Sequence, residues 1–168
     1  PTETATELAE VLDRFNRERR QIGAGMEAEA RADLDRLTVD GSLNRGALCV
    51  YQPHWHQGIV GILASRIKEQ LHRPVIAFAD AGEGRLKGSA RSVSAIHIRD
   101  AIETVVTQRP ELLLGFGGHA MAAGLTLAPG ALMEFSALLD REVIRRNGGQ
   151  PFTPQVVSDG SLSTDQMT

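Results

Sequence analysis

Residues 115–124 read GFGGHAMAAG, four glycines and three alanines around a single histidine. Side chains this small let another segment or a ligand approach closely, and backbone N–H groups at Gly117 and Gly118 beside the His119 imidazole suit a phosphate oxygen. Two elements touching around a satisfied core histidine is the competing use of the same residues. A second constellation is GSARS, residues 88–92. In an extended segment Ser89 and Arg91 point to one side, two donors for one anion, with Ser92 beside them. A structural ion pair between Arg91 and an acidic residue such as Asp100 is the alternative. HWHQG (54–58) joins Trp55 to His54 and His56, where base stacking is one use of the indole and packing the commoner one.

Several familiar chemistries fail on context. Gly115, Gly117 and Ala120 meet the count of a dinucleotide fingerprint, but GLTLA begins only a few residues later, where a helix of several turns is required. GEGRLKGS (82–89) places its lysine before the glycine and is no P-loop. His54, His56, His72, His97 and His119 are not interleaved with the carboxylates of a hydrolytic metal site. There is no H-E-x-x-H, no cysteine pair and no nucleophile elbow. On its own residues the chain reads as a binding module with neither a catalytic residue nor a metal-ligand set.

The elements that must position these residues follow from periodicity. Leu8, Val11, Leu12, Phe15, Ile22 and Met26 fall on one face of a helix running from about residue 3 into the thirties, with Gly23 and Gly25 as points of kinking or fraying. VDGSLNRG (39–46) is a turn-rich boundary. Then ALCVY (47–51) reads as a buried strand, GIVGILASRIKEQL (58–71) as a helix and PVIAFAD (74–80) as a second buried strand, a β-α-β unit. GRLKGSARS (84–92) is a third strand and HIRDAIETVVTQR (97–109) a helix. LLL (112–114) and GLTLA (124–128) are short strands around a glycine loop. ALMEFSALLDREVIRRN (131–147) is a closing helix capped by Gly148 and Gly149. The expected fold is α/β, a compact domain with a central mixed β-sheet flanked by helices and preceded by a long helix.

Composition sets the outer bounds. With 42% apolar and 23% charged residues over 168 positions, the chain is long enough for one buried core. The net charge of −3 argues against binding nucleic acid by bulk electrostatics, yet residues 39–149 hold 12 basic and 10 acidic groups between acidic flanks. Cys49 stands alone, which excludes an internal disulfide and fits a buried thiol in a reducing, cytoplasmic setting. The uncharged stretch 112–133 carries five glycines and a proline and reads as loop and strand, so no membrane partner is expected.

Three separated blocks, WHQGIVGILASRIKE (55–69), LKGSARSVSAIHIRDAI (86–102) and FGGHAMAAGLTL (116–127), together closely resemble the RecJ family of single-stranded-DNA-specific 5′-to-3′ exonucleases in the DHH phosphoesterase superfamily. Gly117, Gly118, His119, Ala122, Ala123 and Gly124 fill its G-G-H-x-x-A-A-G motif. The resemblance implies a connecting helix over 1–38, a DHH-associated nucleic-acid-binding domain over 39–149, and over 150–168 a linker or the start of an oligonucleotide-binding barrel, with SDGSL (158–162) as its first residues. It implies that His119 and the glycine amides face single-stranded DNA near the scissile phosphate, while Ser89, Arg91 and Ser92 grip neighbouring phosphates. The Asp-His-His motif is absent from these residues, so manganese or magnesium is expected on a missing DHH catalytic domain, and the chain alone is expected to be inactive. A nanoRNA or cyclic-dinucleotide phosphodiesterase is the alternative within the superfamily. A non-catalytic accessory domain, as in alanyl-tRNA synthetase-like proteins, is the alternative outside it. If the glycines are bare for a ligand and Gly118 has a negative φ, Gly118→Ala leaves stability nearly unchanged.

Overall fold

The computed structural model describes residues 2–39 and 46–154. The boundary at 40–45, the QVV run and SDGSL lie outside the described residues. One long helix, α1 (Thr2–Val39), comes first; β1 (Leu48–Tyr51), α2 (Val60–Leu71) and β2 (Val75–Asp80) form the expected β-α-β unit, with the two strands parallel. Then come β3 (Leu86–Arg91), α3 (Ile98–Gln108), β4 (Leu113–Gly118), β5 (Ala122–Leu127) and α4 (Leu132–Arg146), with one 3₁₀ turn at Pro110–Leu112. The sheet order is β1-β2-β3-β5-β4, antiparallel from β2 onward. The mixed α/β sheet read from the sequence is the one observed.

Two readings change. Gly23 and Gly25 do not break α1, which runs on without interruption. A Cβ at Gly23 would stand 3.5 Å from Ile59 Cγ2, so this glycine marks where the helix comes down on the core. The glycine loop is no loop either: Gly115, Gly117 and Gly118 lie within β4, and only residues 119–121 connect it to β5. Glycine's poor strand propensity hid a six-residue edge strand whose ladder partner holds it extended.

Strand alternation sorts the side chains into two unequal layers. Ile76, Phe78, Ala90, Ala123, Leu125 and Leu127 face α3 and α4 in one continuous core with Ile98, Ile102, Phe135, Leu139 and Val143. Phe78 and Phe135 meet edge to face, ring centroids 6.3 Å apart. On the opposite face Leu48, Val75, Ala77 and Ala79 pack under Leu63, Ala64 and Ile67 of α2, together with Trp55 and the Met26 and Ala30 turn of α1. That second layer reaches only as far as β3. Towards its N-terminus α1 carries an uncovered apolar stripe, with Leu8, Leu12, Phe15 and Ile22 each about half exposed or more. Burial pushes the Cys49 thiol up to about 12, partly offset by a hydrogen bond with Ser136, so this cysteine stays protonated.

The two helices under the sheet are tied by one buried carboxylate. Glu142 of α4 accepts from Arg145 at 2.8 Å and from Arg146 at 2.6 Å, and Arg146 also donates to the Asp100 carbonyl and the Thr104 hydroxyl of α3. The hydrogen bond from Arg145, offset by burial and aided by Arg146, holds the Glu142 carboxyl at about 2, below its ordinary 4.5. A depressed folded-state value means stability that is present above pH 4.5 and lost as pH falls through about 2. Glu142→Gln should therefore cost about 1–3 kcal/mol at pH 7, with the gap to the wild type closing between those two pH values. Urea denaturation at several pH values measures that gap, and a gap independent of pH would refute the assignment.

Candidate functional site

Beyond β3 the sheet face above the second core layer is bare. Register places three rows of residues across β3, β5 and β4 on that face: Lys87–Thr126–Gly115, Ser89–Gly124–Gly117, and Arg91–Ala122, the last completed by His119, whose amide donates to the Ala122 carbonyl at 2.8 Å. The result is a trough with a floor of glycine, alanine and threonine. Lys87, Ser89 and Arg91 form one wall and His119 the far rim, about 10 Å away across two strand spacings.

Why the floor is bare differs from glycine to glycine. A Cβ added at Gly115, Gly117 or Gly124 meets nothing within 4 Å, so no packing within the described residues requires these positions to be glycine. Gly118 is the opposite case. Its φ is +149°, and a Cβ there would fall 2.4 Å from the Ala122 carbonyl oxygen and 2.5 Å from the Ala123 Cα. The negative φ on which its tolerance to alanine depended is not found, and Gly118 is needed by the fold itself. Hydrogen-bonded pairs alternate along an antiparallel ladder, so the bonded pair His119–Ala122 makes Gly117–Gly124 bonded and Gly118–Ala123 non-bonded. Gly118 therefore turns its N–H to the free edge of β4, whereas the Gly117 amide is spent inside the sheet.

Arg91 lies against α2, donating from Nη1 to the Ser89 hydroxyl at 3.0 Å and to the Ala90 carbonyl at 2.8 Å. Among the described residues no carboxylate pairs with it. Asp100, the alternative partner, is engaged by His97 and Arg99 instead. The half-buried guanidinium thus brings an unneutralised charge to the trough wall, and an anion is its natural complement. His119 is exposed at the rim.

Three candidate residues stand apart from this group. Ser92 is buried, its hydroxyl donating to the Ile96 carbonyl at 2.7 Å, because strand alternation turns it to the opposite face. Trp55 is 4% exposed and donates its indole N–H to Glu29 of α1, so no ring face is open to a base. His54 joins the same carboxylate at 2.7 Å, and the hydrogen bonds from His54 and Trp55 hold the Glu29 carboxyl below the usual range. This corner fastens α1 to the core, together with the Arg66–Glu27 ion pair. His56 lines the groove between α1 and the turn ahead of α2, with Phe15 and Ile22.

Sequence reasoning missed Gly61. A Cβ there would stand 2.9 Å from Arg91 Nη2 and 3.0 Å from Ser89 Oγ, so this helical glycine makes the space in which both side chains lie. Its signal was a glycine in the first turn of an otherwise good helix, which calls for a packing reason. Lys87 was also passed over, although it continues the period-two series of Ser89 and Arg91.

The glycines should separate on substitution. Gly117→Ala should change stability by less than about 1 kcal/mol, whereas Gly118→Ala should lose roughly 2 kcal/mol or more through strain and overlap with the β5 backbone. Thermal melts of the two variants side by side check this, and equal melting temperatures would refute the distinction.

Comparison with known proteins places this geometry in a lineage. The chain is 47% identical over 161 residues to the single-stranded-DNA-specific exonuclease RecJ of Salmonella typhimurium, covering 96% of this chain and 28% of that protein. The crystal structure of RecJ in complex with Mg2+ from Thermus thermophilus superposes with a TM-score of 0.63 at 30% identity, over 80% of this chain and 19% of that one. The C-Ala domain of Aquifex aeolicus alanyl-tRNA synthetase shares the fold at a TM-score of 0.50 and 16% identity, over 60% of this chain and 96% of that domain. The chain thus spans little more than a quarter of the RecJ protein it matches. The DHHA1 domain model matches residues 44–145, β1 through all but the last residue of α4 together with the whole trough, and by that match the protein belongs to the DHHA1 domain family.

Proposed function

We propose that this chain is the strand-positioning part of a RecJ-like 5′-to-3′ single-stranded-DNA exonuclease, working in the cytoplasm in DNA repair and recombination. The observation that carries the reading is the trough: open glycines at 115, 117 and 124 beside an arginine that no described carboxylate neutralises. A sugar–phosphate backbone laid on that floor approaches the sheet as closely as the absent side chains allow. Arg91 and Ser89 supply charge-assisted donors to one phosphate, Lys87 a further charge, and the His119 imidazole with the Gly118 amide meets the strand from the opposite rim. A width of about 10 Å suits one strand. The names of the RecJ relatives agree with such a substrate.

Hydrolysis needs parts from elsewhere. Among the described residues no group of three or more His, Cys, Asp or Glu residues stands together as a metal site. The residues present do not fit a divalent ion, and we assign manganese or magnesium to a DHH domain of the parent enzyme. Here the work is binding and orientation, holding the strand still while its charge is partly offset.

Arg91→Ala should weaken binding of a labelled oligonucleotide to this chain by roughly 1.5–3 kcal/mol while leaving the melting temperature nearly unchanged. Gly61→Ala should weaken it too, by displacing the guanidinium. Fluorescence anisotropy at low salt measures both, and normal binding by a folded Arg91→Ala variant would overturn the reading. With manganese present, the chain alone should leave the labelled strand intact.

A further inference from the structure

A cavity of about 320 Å³ opens beyond the end of the trough and is not used by it. Its position is set by the strands: Ser92 and Met121, joined by a 2.9 Å backbone hydrogen bond, are the residues immediately after Arg91 and before Ala122, so the cavity begins one residue past the Arg91–Ala122–His119 row. Its lining includes Lys68, His72, Ser94, Met121, Asn147 and Phe152, with no carboxylate among the described residues. Phe152 is partly buried against the main core and also lines the cavity, as does the polarisable thioether side chain of Met121.

The charge inside is graded. Helices α2 and α4 both end here, since their C-terminal caps, His72 and Asn147, line the cavity. Helix C-termini carry partial negative charge and favour hydrogen-bond donors, so an anion in this cavity depends on Lys68. Asn147 donates one of its two amide N–H groups to the Gln150 carbonyl at 2.7 Å, and its oxygen is an acceptor. Lys68, whose one close carboxylate among the described residues is the exposed Glu69 at 3.8 Å, supplies positive charge. A flat group with an amino donor, carried next to a phosphate, matches this gradation, and the volume lies at the small end of the range for small-molecule sites, roughly 300–1,000 Å³.

We propose that this cavity is a nucleobase subsite selective for bases with an exocyclic amine, adenine or cytosine over thymine, seated against Phe152 with the adjoining phosphate at Lys68. Where the base belongs to the strand in the trough, the proposal rests on the nucleic-acid reading above; a free mononucleotide has the same chemistry.

Anisotropy titrations of the 168-residue chain with labelled dA8, dC8 and dT8 separate these cases. The expected result is binding of dA8 and dC8 about fivefold tighter than dT8, or more. Phe152→Leu combined with Lys68→Gln should erase that preference, with dT8 binding nearly unchanged. Arg91→Ala should weaken all three oligonucleotides alike. In a second arm, deoxyadenosine monophosphate is added at millimolar concentration while the NMR signals of His72 and the Met121 methyl are followed. Shifts reproduced by dA8 support a base of the bound strand as occupant, and shifts with the mononucleotide alone support a free nucleotide. Equal affinity for the three oligonucleotides with no shift by the mononucleotide overturns the subsite. A retained base preference with an inert Arg91→Ala variant overturns the trough reading instead.

Discussion

The edge-to-face contact of Phe78 with Phe135 is the point on which the molecule depends. It anchors the middle of the sheet to α4, and Gly88 makes it possible, because a Cβ there would lie 2.5 Å from the Phe78 ring. Around this pair the layer beneath the sheet forms one continuous core, from Leu113 on the β4 edge to Ala47 ahead of β1. A sheet so well buried on one side can leave part of the other uncovered. The trough is therefore a consequence of unequal layering: α2 stops at β3, and two strands are left with a small-residue face turned to solvent.

This division also separates the uses of the glycine-rich motif, and they are mixed. Gly118 serves the backbone, crossing against Ala122 and Ala123 where no side chain fits. Gly115, Gly117 and Gly124 meet no such demand and keep the floor flat. One motif thus contains a structural glycine beside glycines whose bareness faces outward, and sequence spacing alone does not tell them apart.

Much of the architecture was legible because hydrophobic period and turn chemistry agreed. Apolar runs gave β1 and β2, the 3.6-residue rhythm gave α2, α3 and α4, and Gly148 and Gly149 marked the end of α4 with φ values of +63° and +72°. What failed was read from residue type without register. β4 looked like loop because glycine disfavours strands, yet pairing with β5 outweighs that preference. Ser92 looked like a partner of Ser89 and Arg91, but one residue along a strand is a change of face. Trp55 looked available, and only the fold shows α1 lying over it. Gly61 could be understood only once Arg91 was seen beside it, about 30 positions away in sequence.

The long helix carries a mechanical consequence. From Thr2 to Met26 it projects about 36 Å at 1.5 Å per residue, and its described contacts with the core gather in the turns around Gly23 to Ala30. Such a rod is a lever with a short grip and a long arm. A tilt of only about 5° at the Glu29–Trp55 fastening carries the far end through roughly 3 Å, close to the reach of a single hydrogen bond. Small rearrangements at that corner are thereby magnified into displacements large enough to make or break contacts at the other end, with no bending of the sheet.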